Sequence, residues 1–425
     1  MGWWFKIKLW QRVIGAMALG VAFGLALASV IGQDAAAAWI DDNLRWVGTL
    51  FIRLIRMMIV PLIFSTLVAG IIAMGKPSKL GTLGLMTFGM YLATTFFANI
   101  IGLVMGTVMR PGAGVDLSAA SAEPVSFGEA PSLIDRLLSI VPENPVAALA
   151  DGDVLAIIFF ALLVGIGIIA TGAAGKPLGD FFNSASDVIL KVTHYVMEIA
   201  PFGVFSLVAY TTVSQGVEAL QAILTLILAV YLGLFIHAVV TYGFIIRIVL
   251  NLPLVRFFRG MTDAIAVAYS TASSSATLPV TIAAASDNLG VKKSVAGSVL
   301  PLGSTINMDG TALYLGILAL FTAQAFGYDL TFGNYLMIAF TAAIVSIGAA
   351  GIPSASLFLL ATVLSTFGVS AEHTAIIVGF ILPVDRIMDM ARTAVNVTGD
   401  AAVATAVAKW EGELDEERFR EPAVI

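Results

Sequence analysis

The chain has 425 residues, 59% of them hydrophobic and only 12% charged, with a formal net charge of −6. A soluble domain carries about twice that share of charged residues; together with a mean hydropathy of +0.96 this excludes a water-soluble globule, and the sequence holds no basic footprint for nucleic acid. Cysteine is absent, which removes disulfides, thiolate metal sites and cysteine nucleophiles.

The apolar residues fall in long blocks, several of them close to the ~20 residues that cross a hydrocarbon layer as a helix. The first block, residues 13–31, is too long for the apolar region of a cleaved signal and reads as a permanent span. Lys6, Lys8 and Arg12 precede it, and Asp34, Asp41 and Asp42 follow. Basic residues mark the cytoplasmic side, so the N-terminus is placed inside. The second span, residues 57–74, ends before Lys76 and Lys79, inside again. After a third span, residues 110–145 are acidic and punctuated by Pro, Gly and Ser, the pattern of an outer loop with short helices. The fourth span, 156–173, ends before Lys176. An outer turn is expected at Glu218, between spans five and six, and Arg247, Arg256 and Arg259 bring the chain back inside.

Residues 260–290 break this alternation. They are mostly apolar, yet Arg256 and Arg259 precede them and Lys292 and Lys293 follow, so the segment returns to the side it came from. Its middle, Tyr269-Ser270-Thr271-Ala272-Ser273-Ser274-Ser275-Ala276-Thr277-Leu278-Pro279, suits the tip of a re-entrant hairpin. Irregular backbone at that depth is tolerated only where protein buries it or it lines a cavity. Between Lys293 and Arg386 there is no Lys or Arg. That interval holds a seventh span at about 294–326 and an apolar stretch at 333–370. The stretch is broken by Gly348-Ala349-Ala350-Gly351-Ile352-Pro353-Ser354 and flanked by Asp329 and Glu372, which suggests a second hairpin opening from outside. The last span, about 373–408, ends at Lys409, and residues 411–420 read as a solvated charge run. The expected fold class is an all-α polytopic membrane protein with eight transmembrane helices plus two re-entrant helical hairpins. Hairpins entering from opposite faces point to inverted repeats and to a midplane site in a secondary transporter.

The last span carries Asp385, Asp389, Arg392, Thr393, Asn396 and Asp400, at intervals of 4, 3, 1, 3 and 4, so helical periodicity puts all six on one face. Charges in a membrane cost roughly 2.5–3.5 kcal/mol each and face a cavity or a partner. The plainer reading is an ion-pair stripe that glues helices. It is strongest for Asp385 with Arg386, near the expected helix start; around Arg392 the mixture of acid, base, hydroxyl and amide favours binding. The seventh span carries Asn307-Met308-Asp309-Gly310-Thr311, where Gly weakens a helix by about 1 kcal/mol and Asn and Asp compete for its backbone bonds. Local unwinding there would gather the oxygens that hard cations prefer. Tyr91, Thr94 and Thr95, on the third span, read alone as interhelical hydrogen bonds. The Ser273–Ser275 triplet sits at a half-helix end, a ready anion site. Arg392 offers a planar fork for a carboxylate, and Asp389 can accept an ammonium group. Together these suggest a substrate with two carboxylates and one amine, accompanied by cations. His194, His237 and His373 belong to no recognisable nucleophile motif, so an enzyme is not expected.

The runs Ser273 through Thr281, Asn307 through Thr311, Gly348 through Pro353, and Asp389 through Asp400 resemble the glutamate/aspartate transporter family, the dicarboxylate/amino acid:cation symporters, and the likeness extends over the whole chain. The resemblance implies a secondary active symporter of acidic amino acids working as an elevator, in a homotrimer embedded in the lipid of the cell inner membrane, with both termini cytoplasmic. It divides the chain into scaffold spans 1–2 (residues 1–75), transport-domain span 3 (76–110), scaffold spans 4–5 (111–217), a transport domain of span 6, both hairpins and spans 7 and 8 (218–410), and a charged tail (411–425). Carried over by motif, Arg392 binds the side-chain carboxylate with support from Thr311, and Asp389 binds the amino group. Thr393, Asn396, Ser274, Ser275 and the second hairpin tip, with Gly351 and Ile352, hold the α-carboxylate. Three sodium sites are implied: Gly303, Asn307, Asn396 and Asp400; Thr305, Ser346, Ile347 and Ala349; and Tyr91, Thr94, Thr95, Asn307 and Asp309. Ala272 stands where many prokaryotic relatives place Arg, with Arg386 as the substitute charge. Leu315 stands where potassium-exporting members carry Glu. Coupling to protons instead of sodium, a C4-dicarboxylate substrate and an anion-conducting channel are the alternatives.

Overall fold

The structure, a computed structural model, describes residues 7–73, 82–115, 117, 138, 140–347 and 355–422. Among these residues all regular structure is helical apart from one antiparallel bridge between Val291 and Leu414. The helices are α1 (Leu9–Ile31), α2 (Gln33–Asn43), α3 (Arg45–Ala73), α4 (Thr82–Met109), α5 (Pro145–Asp151), α6 (Val154–Thr171), α7 (Lys176–Met197), α8 (Ala200–His237), α9 (Leu254–Gly260), α10 (Thr262–Thr271), α11 (Ser274–Ala283), α12 (Lys293–Ile306), α13 (Asp309–Phe326), α14 (Phe332–Ser346), α15 (Ala355–Leu364), α16 (Ala371–Trp410) and α17 (Glu416–Arg420).

Local chemistry sets several of these ends. Asn144 accepts the N–H groups of Val146 and Ala147 and Pro145 opens α5, while Asp153 accepts from Ala156 and Gly172, at φ +64°, closes α6. Side-chain oxygens before the first turn satisfy orphan donors, and glycine takes the left-handed exit without strain. α1, α4, α6, α8 and α13 are apolar over most of their surface, but they meet two environments. α1 leaves Leu19, Leu25 and Val30 exposed, which suits lipid. In α13 every residue but Gln324 is buried; a helix apolar on all faces belongs in a core. α4, α8 and α16 pack around α13, and α16 also packs on α10 and α12.

Five stretches are long and apolar enough to cross a membrane: Gln11–Ile31, Met86–Met109, Leu155–Met197, Gln221–Val249 and Lys293–Phe326; Val60–Ile72, Ala200–Ser214 and Phe332–Ser346 are shorter apolar helices. α16 has the length too, and carries Asp385, Arg386, Asp389, Arg392 and Asp400 through its middle. Both expected interruptions with described residues are present. α10 and α11 meet at Ala272 and Ser273, and α12 and α13 meet at Asn307 and Met308. α14 and α15 are the arms of the second expected hairpin; its tip, residues 348–354, lies outside the described residues.

Three readings change. Helical bonding runs unbroken from Ala200 to His237, through the position of the turn expected at Glu218 and across the expected boundary between 217 and 218. Asp385 and Arg386 are in the middle of α16, which starts at Ala371, not near a helix start. The tail keeps its charges largely exposed but is seated on the protein rather than free. Glu413 and Asp415 pair through their backbone with Lys292 and Gly290, Arg418 Nε donates to the Asp287 carbonyl at 2.6 Å, and Phe419 is fully buried. One buried aromatic contributes roughly 1.5–3 kcal/mol, enough to seat a short charged segment. Gly290, at φ +68°, lets the tail approach: a side chain there would meet the Asp415 carbonyl oxygen.

Candidate binding site

Two polar clusters lie where α16 faces the two broken helices. The first is built around Arg392, which is 1% exposed. Its Nη2 lies 2.7 Å from Asp389 Oδ1 and 3.1 Å from Asp385 Oδ1, and its guanidinium carbon stands 3.8 Å over the ring of Tyr314. The Tyr314 hydroxyl donates to Asp385 Oδ1 at 2.8 Å. Both acids fall on Nη2, which the two forked edges of the guanidinium share. Nε and Nη1, on either side of it, are buried with no hydrogen-bond partner. Guanidinium donors match carboxylate oxygens, and leaving them unfilled in a buried site is costly.

The first hairpin tip closes on this cluster. Ala272 takes a left-handed conformation (φ +51°) to end α10, and Ser273, extended, starts α11 by accepting the Ala276 N–H. Ser274 Oγ is buried without a partner, and Ser275 is half-buried. Arg386 Nη2 donates to the Thr271 carbonyl at 3.1 Å, and its Nη1 lies 3.8 Å from Asp389 Oδ2. A cation from α16 thus reaches the tip next to Ala272. The Thr393 hydroxyl donates to the Asp389 carbonyl, and Thr311 is buried on the first turn of α13.

The second cluster surrounds the break between α12 and α13. Asp309 Oδ1 accepts from Thr95 Oγ1 at 2.8 Å and Thr94 Oγ1 at 3.2 Å. Asn307 Nδ2 donates to Asp400 Oδ1 at 2.9 Å, and Asn396 Oδ1 accepts the Gly310 N–H at 2.7 Å. Tyr91 donates to the Val299 carbonyl. At Gly303 a Cβ would sit 2.5 Å from both the Tyr91 hydroxyl and Asp400 Oδ1, so its lack of a side chain is what lets those oxygens converge. Asp309 and Asp400 are fully or almost fully buried, and no Lys or Arg pairs with either among the ion pairs of the described residues. Hydroxyl, amide and carboxylate oxygens of this kind suit a hard cation.

The structure therefore brings together the sequence-selected residues Asp389, Arg392, Thr393 and Asn396 on one face of α16; Ser274 and Thr311 are buried at the starts of α11 and α13. It also joins Thr94, Thr95, Asn307, Asp309 and Asp400. Of the remaining ion-site group, Thr305 and Ser346 each bond a carbonyl within their own helix, Ile347 is buried just after α14, and Thr305 lies against Gly70 of α3. Gly351, Ile352 and Ala349 lie outside the described residues. Sequence reasoning missed Tyr314, His237 and Tyr242 and undervalued Asp385. Tyr242 OH and His237 Nε2 approach Asp309 Oδ2 at 2.8 Å and 3.2 Å. The available signals were Asp385 seven residues before Arg392, two helical turns on the same face, and a polar trio, His237, Thr241 and Tyr242, inside an apolar stretch.

A family model described as the sodium:dicarboxylate symporter family matches residues 9–410. A protein of Bacillus subtilis (strain 168) named proton/sodium-glutamate symport protein is 36% identical over 414 residues, 95% of this chain and 94% of its own. A proton/glutamate-aspartate symporter of Escherichia coli (strain K12) is 36% identical over 424 residues, covering 97% and 95%. A C4-dicarboxylate transport protein of Bacillus subtilis (strain 168) is 35% identical over 415 residues, covering 96% and 95%.

Proposed function

The chain belongs to the sodium:dicarboxylate symporter family, a multi-pass membrane transporter rather than an enzyme, and from that premise we propose that it carries aspartate or glutamate inward together with sodium. The observation that carries the proposal is Arg392, whose Nε and Nη1 donors are buried without a partner beside the carboxylate of Asp389. An acidic amino acid answers both: its side-chain carboxylate takes the free donors of Arg392, with Thr311 in support, and its ammonium group takes Asp389. Ser274, Ser275, Thr393, Asn396 and the second hairpin tip at Gly351 and Ile352 hold the α-carboxylate. Sodium ions offset Asp309 and Asp400, at sites drawn from Tyr91, Thr94, Thr95, Gly303, Asn307 and Asn396, with a further site at Thr305, Ser346, Ile347 and Ala349. The same reading makes the protein an elevator-type homotrimer of the inner membrane, with cytoplasmic termini and the helices around α13 moving against the rest.

Purified protein in proteoliposomes, given labelled aspartate and a sodium or a proton gradient imposed separately, tests the proposal. Uptake driven by the sodium gradient alone supports it. Proton coupling is the second reading, favoured by the imidazole of His237 at 3.2 Å from Asp309 and by the names of the relatives; uptake driven by the proton gradient alone selects it. Succinate distinguishes the substrate. A carboxylate at Asp389 repels a ligand without an amine, so aspartate should compete at least tenfold better, about 1.4 kcal/mol. Equal competition by succinate would select the C4-dicarboxylate reading.

A further inference from the structure

Asp309 has two faces. Oδ1 is turned to the hydroxyls of Thr94 and Thr95 on α4. Oδ2 is turned to the end of α8, where Tyr242 OH lies 2.8 Å away and His237 Nε2 3.2 Å away. His237 is fully buried, and its Nδ1 lies 3.1 Å from the Thr241 hydroxyl. That hydroxyl can donate to Nδ1, which fixes the proton on Nε2 and aims it at Asp309. Tyr242 OH is also 3.1 Å from the Val395 carbonyl, and a Cβ on Gly399 would come within 2.6 Å of that hydroxyl. The tyrosine is thus wedged between α16 and the break in front of α13.

The backbone explains how both residues reach one oxygen. At about 100° per residue, side chains five apart on an α-helix point roughly 140° away from each other. From Ala238 to Tyr242 the helix switches to a wider turn with i→i+5 hydrogen bonds. That turn brings position 242 back under position 237, and the two rings meet edge to face with centroids 4.8 Å apart. Such turns inside α-helices recur at functional sites.

We propose that His237 and Tyr242 are positioning residues for the coupling cation. By holding Oδ2 they fix the carboxylate of Asp309 so that Oδ1 faces Thr94, Thr95 and Asn307, the side on which the cation is expected. The wide turn of α8 is the device that delivers both donors. The inference rests on the reading of Asp309 as a cation ligand. Removing an outer partner of a metal ligand typically changes affinity about 10–100-fold. Here the effect should appear in the sodium requirement and not in the substrate site.

The test is a sodium titration of aspartate binding to detergent-purified protein by calorimetry at fixed pH, for the unmodified chain, His237→Leu, His237→Gln and Tyr242→Phe. His237→Leu and Tyr242→Phe should raise the sodium concentration for half-maximal effect about tenfold, while aspartate affinity at saturating sodium stays within about twofold. Glutamine can still donate, so His237→Gln should recover most of the loss. A purely structural role would lower thermal stability and saturating affinity together, without rescue by glutamine. Sodium curves that superimpose for all four proteins overturn the proposal. If the unmodified protein ignores sodium but its affinity follows pH, the sodium reading fails. The positioning role then stands if Tyr242→Phe displaces the pH curve, and falls with it if that curve is unmoved.

Discussion

The two clusters on α16 use similar residues and hold opposite deficits. Around Arg392 two acids and two bases share a few ångströms, and what is left over is a pair of donors, Nε and Nη1. Around Asp309 and Asp400 the acids have only hydroxyl, amide and imidazole partners among the described residues, and what is left over is negative charge. On the proposed function the first cluster would take the anion and the second the cation. Gly310 sits between them: its N–H bonds Asn396 of the cation cluster, and a Cβ on it would lie 2.7 Å from the Arg392 carbonyl oxygen. On the proposed function, filling either cluster would bear on the other through the same turn of α13, a physical route to symport.

The comparison breaks most sharply at Arg392. Replacing it with Ala removes the free donors and the cation that Asp385 and Asp389 share, and breaking a buried pair costs about 3–5 kcal/mol. Aspartate affinity by calorimetry should fall more than about a hundredfold, and the site should become tolerant of a neutral amino acid. Unchanged aspartate affinity would show that the two clusters do not divide the work as described.

Asp309→Asn addresses the other side. If sodium binds there, substrate and sodium strengthen each other reciprocally, and substrate affinity in the unmodified protein should rise with sodium with a slope above one on logarithmic axes. The asparagine removes the charge that demands the cation, so the slope should fall by about one, with affinity at saturating sodium changed far less than in Arg392→Ala. A steep slope retained in Asp309→Asn would move the cation elsewhere. Gly310→Ala sharpens the coupling between the clusters: the added methyl meets backbone, and forcing an extra carbon into packed space costs typically 1–3 kcal/mol. Substrate and sodium affinities should both drop, by about fivefold or more each. Loss of only one would mean that the shared turn does not link them.

Most of the fold was legible because hydrophobic length and basic flanks are strong signals in a membrane protein. The broken hairpin at Ala272 and Ser273 and the break at Asn307 and Met308 were readable from Ser, Asn and Gly in apolar stretches. The α16 stripe was readable because helical spacing maps directly to a face. The clasp of the tail was not, since its charges suggested water and only one aromatic, Phe419, hinted at burial. His237 and Tyr242 were hidden for a geometric reason. Five residues apart they belong to no common α-helical face, and only the wide turn at Ala238–Tyr242 unites them. Tyr314 was hidden because stacking on Arg392 leaves no periodic trace.

The smallest effect belongs to the same acid–base chemistry moved into water. Lys409 Nζ lies 2.8 Å from Glu416 Oε1 and also donates to the Leu250 carbonyl at 2.6 Å, while Arg420 stands 3.7 Å from the other oxygen. The hydrogen bond from Lys409 holds the Glu416 carboxyl below its ordinary value. A carboxyl lowered by folding lends stability above its unfolded pKa of about 4.3 and loses it as pH falls through the folded value. The seating of α17 should thus be flat between neutral pH and pH about 5 and loosen only below about 4. Exposed pairs of this kind contribute at most about 1 kcal/mol, so transport at neutral pH should be untouched in Glu416→Gln. Hydrogen exchange of the α17 amides, corrected for the intrinsic pH dependence, gives the measurement: protection should drop in acid for the unmodified chain and show no such drop for Glu416→Gln. Equal acid loosening in both would mean that another carboxylate governs the tail. Glu413, paired with Lys292 at 2.9 Å, would be the next to replace.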